Sequence, residues 1–250
     1  MSVSDSTRRT ALVTGAGRGI GRAIALELAR DGTRVVACGR DREALEETAV
    51  IAGRMRADMS ILAADITAPS FLSELDRAIG VCDVVVHNAT HFPVIGPLEE
   101  IPPDEIERVL DVGVRAPLRI SAHVLPGMKT RGFGRIVFVG SVAGTQGAVD
   151  QVPYATAKSA LHGLVRSLAL EGAPSGVTCN LVEPGLVLTE RLLGRISAER
   201  RSAFLKATPM GRAGTPDEIA HVVAFLASER ASYVTGAIVP VTGGLGLGLR

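Results

Sequence analysis

The strongest signal for the fold lies near the amino terminus, in Thr10-Ala11-Leu12-Val13-Thr14-Gly15-Ala16-Gly17-Arg18-Gly19-Ile20-Gly21. The apolar run Thr10–Thr14 predicts a buried strand, and a helical pattern follows over Ile20–Asp31. Glycines between the two let the backbone approach a phosphate closely. A helix N-terminus adds free N–H groups and the positive end of the helix dipole. A glycine-rich loop in this place predicts a phosphate-binding turn.

Short β-branched runs alternate with longer amphipathic segments along the rest of the chain. The further strand candidates are Arg34–Cys38, Ser60–Ala64, Asp83–His87, Arg135–Gly140, Val177–Val182 and Ala237–Val241. The further helical patterns are Arg42–Ala52, Ser70–Ile79, Asp104–Arg131, Tyr154–Gly172 and Pro216–Ser228. Strands that alternate with helices indicate βαβ units and a parallel sheet. Right-handed crossovers place helices on both faces, so we expect one α/β domain over residues 1–250.

The segment Gly185–Gly214 interrupts this alternation, because it is long and mixes apolar residues with charges. Its apolar residues are Leu186, Leu188, Leu192, Leu193, Ile196, Phe204 and Leu205. Two interpretations stay open at this point. The segment is either an ordinary pair of surface helices or a lid over an apolar substrate pocket.

Composition excludes several classes of function. Hydrophobic residues make up 46% of the chain, whereas only 3% are aromatic and none is Trp, which argues against a stacking surface for nucleic acid. A formal net charge of +1 gives no reason to expect a polyanionic partner. Cys38, Cys82 and Cys179 lack metal-ligand spacing and are expected to be buried thiols, so no metal is predicted. No leader or membrane-spanning run is evident, and we expect a cytoplasmic protein.

The sequence pattern that indicates acid–base catalysis is a tyrosine four residues before a lysine, Tyr154 and Lys158, with Ser141 upstream. Positions i and i+4 share one face of a helix, so the ammonium of Lys158 can lie beside the phenol of Tyr154. A nearby positive charge lowers the pKa of a tyrosine. The hydroxyl of Ser141 could then hold a substrate oxygen while Tyr154 donates or accepts its proton.

The residues after the second predicted strand discriminate between nicotinamide cofactors. An Asp or Glu at the strand's end would hydrogen-bond the ribose 2′-OH of NAD. This chain instead has Cys38-Gly39-Arg40-Asp41-Arg42, and Asp41 is interpreted as the cap of the second helix. Arg40 and Arg18, from the glycine loop, suit a 2′-phosphate. The sequence therefore favours NADPH over NADH.

A series of motifs now extends over nearly the whole chain. In order they are Thr14–Gly21, Asp65, His87-Asn88-Ala89-Thr90, Ser141 with Tyr154 and Lys158, Asn180–Gly185 with Thr189, Pro209–Arg212, Phe225–Ser228 and Val241–Gly244. Together they resemble the short-chain dehydrogenase/reductase family, and are most similar to its 3-oxoacyl-(acyl carrier protein) reductases and polyketide ketoreductases. Thr242 stands where that family usually has Asp, and His87 and Thr90 depart from its N-N-A-G motif.

The resemblance implies a Rossmann-like three-layer sandwich with a doubly wound, seven-stranded parallel sheet, usually assembled as a homotetramer. It implies a cofactor-binding half at about 10–140, and a catalytic and substrate part at about 141–250 with a lid at about 185–214. Tyr154 would be the general acid in reduction, Lys158 would lower its pKa and bind the nicotinamide ribose, and Ser141 would polarise the carbonyl. The expected cofactor-binding residues are Gly15, Gly17, Arg18, Gly19, Ile20, Gly21, Arg40, Asp65, Ile66, Asn88, Ala89, Tyr154, Lys158, Pro184, Gly185, Val187 and Thr189.

One departure from the family pattern concerns catalysis directly. Many members carry a fourth catalytic residue, an asparagine, where this chain has Gly113. Glycine inside a helix costs about 1 kcal/mol relative to Ala, and Pro117 follows, so a local kink is expected. Either a water fills the gap, or the proton relay is rerouted, for instance through Asp111. Nearby, His87 is expected to be a hydrogen-bonded scaffold residue, and His91 is a candidate for the pocket mouth.

These observations leave three alternative functions. The first is an NADPH-dependent ketoreductase acting on a 3-oxoacyl thioester, with an acidic acyl carrier protein docking on basic residues such as Lys129, Arg131 and Arg135. The second is the same fold acting on a free ketone, steroid, sugar, quinone or alcohol. The third is a weakly catalytic cofactor-binding subunit, suggested by Gly113.

Overall fold

The computed structural model describes residues 8–92, 94–194 and 196–247. Seven strands form one sheet in the order β3-β2-β1-β4-β5-β6-β7, and every neighbouring pair is parallel. The strands are β1 Thr10–Thr14, β2 Arg34–Gly39, β3 Met59–Ala63, β4 Val84–His87, β5 Gly134–Val139, β6 Val177–Pro184 and β7 Ile238–Val241. This confirms the predicted doubly wound, Rossmann-like fold, and the strand bounds agree with the predicted ones to within two residues.

Helices connect the strands and cover both faces of the sheet. They are α1 Gly19–Arg30, α2 Arg42–Arg54, α3 Phe71–Ile79, α4 Pro103–Leu110, α5 Ala116–Arg131, α6 Ala143–Gln146, α7 Val152–Gly172, α8 Glu190–Leu193, α9 Ala198–Ala207 and α10 Pro216–Ala227. Short 3₁₀ turns lie at Leu98–Glu100, Ala173–Ser175 and Glu229–Ala231. Asp41 accepts a hydrogen bond from the Ala44 N–H, which confirms it as the cap of α2.

The predicted helix Asp104–Arg131 is divided in two. A π-helical turn, Asp111–Arg115, separates α4 from α5, and Gly113 is buried within it. The local irregularity expected around Gly113 is therefore present, as a widened turn. Such π turns are rare and occur frequently at functional sites.

The side chains of the strands point alternately to the two faces of the sheet, and an apolar layer covers each face. On one face Val84 and Val86 pack with side chains of α1 and α10, such as Ile24 and Ile219. On the other face Val85 packs with side chains of α3, α5 and α7. Strands buried on both faces explain the near-continuous apolar runs in the sequence.

The order of the strands reverses between β1 and β4, because β2 and β3 lie on one side of β1 and β4–β7 on the other. In open α/β sheets ligands bind outside the carboxyl ends of the strands at such a switch point. The segments that follow β1, β4, β5 and β6 meet at this edge. Within the described ranges, no helix is long and apolar enough to cross a membrane.

Candidate functional site

The glycine loop between β1 and α1 is built so that glycine is obligatory in it. A Cβ on Gly21 would lie 2.0 Å from the Gly15 carbonyl oxygen, which leaves no room for any side chain. Gly15 and Gly19 have φ angles of +68° and +54°, a backbone region that disfavours other residues. Gly17 lies against α2, where a Cβ would meet the Ala44 Cβ at 3.0 Å.

The carbonyl groups of this loop are tied back into the protein. Arg22 Nε donates to the Gly17 carbonyl at 2.9 Å, and the Thr48 hydroxyl donates to the Ala16 carbonyl at 3.2 Å. Arg18 precedes α1, and within the described part of the chain its side chain caps none of the helix N–H groups. The first turn of α1 therefore lacks a side-chain cap at Arg18, and free N–H groups at a helix N-terminus are the groups that bind a phosphate. The loop fits the pyrophosphate of a dinucleotide.

Asn88 and Ala89, at the end of β4, hold the loop from the other side. The Asn88 side-chain amide donates to the Thr14 and Gly15 carbonyls at 3.0 and 3.2 Å. The backbone N–H groups of Asn88 and Ala89 both donate to the Thr14 hydroxyl at 3.1 Å. Asn88 thus shapes the cofactor loop through its side chain.

Two guanidinium groups lie beside the glycine loop, at the carboxyl ends of the strands, where open α/β sheets form their ligand cleft. Arg18 pairs with Asp41 at 2.7 Å, and an Arg40 nitrogen lies 4.0 Å from the Asp65 carboxylate. Burial acts to raise the pKa of Asp65, but hydrogen bonds from the Thr67 N–H and hydroxyl, with the charge of Arg40, hold it below the ordinary value. Ile66, next to Asp65, is buried in the core.

Residues after β6 form the opposite wall of the cleft. A Cβ on Gly185 would lie 2.9 Å from the Thr242 Cα, so the chain can turn there only at glycine. Pro184, one residue earlier, accepts a hydrogen bond from the Val142 N–H at 3.1 Å. Thr189 caps α8 and lies across from the glycine loop, since a Cβ on Gly19 would meet its methyl group at 3.1 Å.

The two ends of the segment that follows Gly185 are bonded to each other. Val187 forms a parallel bridge with Gly214, and Gly214 N–H donates to the Leu186 carbonyl at 2.8 Å. α8 and α9 lie between these two anchored ends. Arg200, in α9, reaches the Val149 carbonyl at 3.3 Å and so connects this segment to the loop before α7.

Ser141, Tyr154 and Lys158 come together at the centre of this edge. Burial raises the pKa of Tyr154, and the neighbouring Ser141 hydroxyl acts to lower it with a smaller effect. The Lys158 ammonium nitrogen lies 5.7 Å from the centre of the Tyr154 ring and donates to the Val139 carbonyl at 2.8 Å. Burial lowers the pKa of Lys158 from 10.5 to about 8. Tyr154 and Lys158 are neighbours on α7, as their spacing indicated, and Ser141 lies beside the tyrosine.

Gly113 lies directly opposite the helix that carries the tyrosine and the lysine. A Cβ at this position would be 3.0 Å from the Ala157 Cβ, a tight contact with a residue between Tyr154 and Lys158. Asp111, offered by the sequence as a substitute relay, instead pairs with Arg115 at 2.7 Å on the half-exposed outer side of the turn. This geometry does not support a proton relay through Asp111.

Phe92 was not among the site residues predicted from the sequence, and its neighbour His91 makes a different contact from the one predicted. Phe92 stacks on Tyr154 with ring centroids 5.8 Å apart and an interplanar angle of 18°, so it borders the reacting group. His91, the candidate for the pocket mouth, instead bonds to Glu105 at 2.9 Å and anchors the loop to α4. The only signal was an aromatic residue just after the Asn88 motif, in a chain with six Phe.

Other predicted groups are located as follows. His87 is a scaffold residue, as expected: its Nε2 lies 3.0 Å from the Ser121 hydroxyl oxygen, and burial lowers its pKa to about 3. Cys38, Cys82 and Cys179 are buried free thiols. Among the described residues, no group of three His, Cys, Asp or Glu side chains could hold a metal ion.

Arg135 cannot belong to a basic docking patch, contrary to the prediction. It is 3% exposed, and its guanidinium bonds to the Gly134, Gly176 and Ser228 carbonyls. It lies at the amino end of β5, away from the Tyr154 edge of its own sheet. The reason is the arrangement of parallel strands, which places the first residue of a strand at the opposite edge from the last.

An α/β sheet with a dinucleotide-type glycine loop beside a buried tyrosine–lysine couple defines a Rossmann-type oxidoreductase. A family model described as enoyl-(acyl carrier protein) reductase matches residues 15–246. The 3-oxoacyl-(acyl-carrier-protein) reductase of Pseudomonas aeruginosa is 39% identical over 95% of this chain and 97% of its own length. The acetoacetyl-CoA reductase of Allochromatium vinosum is 36% identical over 95% and 98%.

Solved structures agree with these relatives. Levodione reductase superimposes with a TM-score of 0.91 at 30% identity, over 96% of this chain and 98% of its own. A Beutenbergia cavernae protein, described as an NAD(P)-dependent gluconate 5-dehydrogenase with bound NADP, gives a TM-score of 0.90 at 36% identity over 96% and 97%. The chain belongs to the short-chain dehydrogenase/reductase family. It is an oxidoreductase that interconverts carbonyl and hydroxyl groups with a nicotinamide cofactor.

Proposed function

We propose that the chain is an NADPH-dependent ketoreductase that reduces the 3-oxo group of an acyl thioester to a hydroxyl. The observation that carries this proposal is the grouping of the Ser141 and Tyr154 hydroxyls with the buried Lys158, beside the glycine loop. That arrangement offers a substrate oxygen two hydroxyl groups at once. The 3-oxoacyl and acetoacetyl thioester reductases among the relatives support the substrate class.

Each of the three side chains has a separate task in this proposal. Ser141 donates a hydrogen bond to the carbonyl oxygen and orients it towards Tyr154. Tyr154 donates its phenolic proton to that oxygen as negative charge develops there. Lys158, fixed by the Val139 carbonyl, stabilises the phenolate that remains. The nicotinamide cofactor, when bound, supplies the hydride.

The preference for NADPH rests on the two arginines at the cleft. Both guanidiniums are more than half exposed, and each lies within 4.0 Å of a carboxylate, which holds it near the expected position of the ribose. A 2′-phosphate would bring two negative charges to this pair. Arg40→Ala and Arg18→Ala should each raise the KM for NADPH and leave the KM for NADH unchanged. Arg34→Ala, at the far end of β2, is the matched control. A preference of the wild type for NADH would refute the assignment.

We further propose that the segment from 185 to 214 closes over the substrate. Its ends are fixed to each other at Val187 and Gly214, while α8 and α9 between them carry half-buried apolar side chains such as Phe204 and Leu205. A loop anchored at its base and apolar on one side suits an acyl chain. Assembly as a homotetramer and delivery of the substrate by an acyl carrier protein are part of the same proposal.

A second candidate is reduction of a free ketone or oxidation of a sugar alcohol. Two observations favour it over carrier-bound chemistry. Arg135 is unavailable for an acidic carrier, and solved neighbours include levodione reductase and a gluconate dehydrogenase. The third candidate, a cofactor-binding subunit with little catalysis, rests only on Gly113.

One assay distinguishes the three candidates. NADPH oxidation is measured with a 3-oxoacyl carrier protein, with acetoacetyl-CoA and with a panel of free ketones, for the wild type and for Tyr154→Phe. We expect the thioesters to be reduced with the higher kcat/KM and Tyr154→Phe to be inactive. Equal turnover of thioesters and free ketones would refute the thioester assignment. If wild type and variant are equally inert while NADPH binds, the chain is a binding subunit.

A further inference from the structure

A buried carboxylate lies outside the catalytic trio and has no part in the mechanism so far. Glu183 occupies the strand β6 immediately before Pro184, and its side chain is only 7% exposed. The Glu183 carboxylate accepts hydrogen bonds at one oxygen from Thr145 Oγ1 in α6 and, at 3.1 Å, from His162 Nε2 in α7. One oxygen therefore ties two helices to one strand.

The backbone around Glu183 is the part of the sheet that holds Ser141. The Gly140 N–H donates to the Val182 carbonyl at 2.8 Å, and the Val142 N–H donates to the Pro184 carbonyl at 3.1 Å. The residues on either side of Ser141 are thus bonded to the residues on either side of Glu183. A change in the position of β6 at this point would displace Ser141.

The two helices that the carboxylate holds carry the rest of the trio. α6 begins two residues after Ser141, and Gly144 within it packs so closely on α7 that a Cβ would lie 2.8 Å from the Lys158 carbonyl carbon. His162 lies one helical turn beyond Lys158 on α7. Thr145 and His162 therefore attach the Ser141 side and the Tyr154–Lys158 side of the site to the same carboxylate.

We propose that Glu183 is a positioning residue, which brings the Ser141 and Tyr154 hydroxyls into hydrogen-bonding geometry by holding α6 and α7 on the end of β6. The requirement is for an acceptor oxygen between the Thr145 hydroxyl and the His162 ring. The inference rests on the proposed function only for its kinetic consequence. The structural consequence, the state of the Tyr154 phenol, can be measured without any substrate.

The chain offers an unusually direct probe of that phenol. It contains two tyrosines and no tryptophan, and the second tyrosine, Tyr233, is fully exposed. In a Tyr233→Phe background, tyrosine labelled with ¹³C at Cζ gives a single resonance, which belongs to Tyr154. The chemical shift of that carbon responds to a hydrogen bond at the phenol oxygen. Ser141→Ala provides the reference shift for the broken hydrogen bond.

The variants form matched pairs around the carboxylate. Thr145→Val removes one donor at nearly constant volume, whereas Thr145→Ser keeps it. Glu183→Leu removes the acceptor, whereas Glu183→Gln keeps an oxygen that accepts from both partners. We expect Thr145→Val and Glu183→Leu to move the Tyr154 resonance towards that of Ser141→Ala, and Thr145→Ser and Glu183→Gln to retain the wild-type shift.

The kinetic measurement uses the same pairs of variants. The kcat is expressed per cofactor-binding site, and the number of sites is determined by titration with NADPH. A misplacement of 1 Å can cost about a hundredfold in rate, so kcat should fall at least about tenfold in Thr145→Val with the KM for NADPH unchanged. A wild-type resonance in Thr145→Val, or a Glu183→Gln variant as perturbed as Glu183→Leu, overturns the proposal. If Glu183→Leu does not fold, the Thr145 pair alone decides. A wild type inert towards every ketone would refute the proposed function but leave the resonance test intact.

Discussion

Replacing Lys158 with Met should stabilise the protein while it abolishes activity. The lysine side chain is 4% exposed, and it donates a hydrogen bond to the Val139 carbonyl at 2.8 Å. Burial lowers its pKa from 10.5 to about 8, because the charged form is poorly solvated there. Methionine has a similar length and no charge, so Lys158→Met fills the same space without the cost of burying an ammonium group.

The size of the effect follows from the pKa of the lysine. A pKa shift of this size corresponds to about 3 kcal/mol that opposes folding while the native lysine is charged, below pH 8. Loss of the hydrogen bond to Val139 destabilises Lys158→Met by about 1 kcal/mol. The net gain at pH 7 is about 2 kcal/mol, which raises the Tm of a protein of this length by roughly 4–8 °C.

The sign of the pH dependence is fixed by proton linkage. Between pH 8 and 10.5 the unfolded chain keeps the lysine proton and the folded protein has released it, so the stability of the wild type rises with pH in this window. Lys158→Met lacks that rise. Its advantage should therefore be greatest below pH 8 and should disappear before pH 10.5, where the lost hydrogen bond leaves the variant less stable by about 1 kcal/mol.

Denaturant unfolding of the cofactor-free proteins at pH 7, 9 and 10.5 measures this difference. Lys206→Met, at an exposed position of α9, is the control and should change the free energy of unfolding by less than about 0.5 kcal/mol. A Lys158→Met variant less stable than the wild type at pH 7, or a stability difference that does not vary with pH, would refute the reasoning.

Three further substitutions test the site directly. Gly21→Ala places a Cβ 2.0 Å from the Gly15 carbonyl oxygen, so the Kd for NADPH, followed by fluorescence, should rise at least tenfold, on the order expected for a displaced binding loop. Gly113→Asn crowds Ala157 and should cost about 1 kcal/mol of stability in denaturant unfolding. Its kcat should stay within about twofold of the wild type if water fills the gap, and a large gain would show a handicapped relay. Phe92→Ala removes a ring stack worth about 1 kcal/mol and should raise the KM for the ketone several-fold without changing the Kd for NADPH.

Much of the fold could be predicted because its signals are local. The apolar run Thr10–Thr14, the glycine loop after it and the regular alternation of strands and helices are each contained within a short window of sequence. The cofactor loop was identifiable for the same reason, since the crowding that forces glycine at Gly21 comes from Gly15, six residues away. The tyrosine and lysine are one helical turn apart, so their proximity also follows from local geometry.

Contacts between distant segments could not be predicted in this way. Phe92 meets Tyr154 because β4 ends and α7 begins at the same edge of the sheet. Arg135 was taken for a surface charge, although the carbonyls of Gly176 and Ser228 and the ring of Phe133 enclose its guanidinium. The bond between His162 and Glu183 could not be predicted either, because the two residues lie on different elements.

The two buried charged groups near the site illustrate how this fold divides its tasks. Lys158 is held by one carbonyl and opposes folding, which is a cost that only catalysis explains. Glu183 has two donors aimed at one oxygen, and so is far better compensated than the lysine. A poorly compensated charge is expected where chemistry takes place, and a well-compensated one where geometry must be held. This difference supports the two proposed roles, Lys158 in the reaction and Glu183 in the frame that positions it.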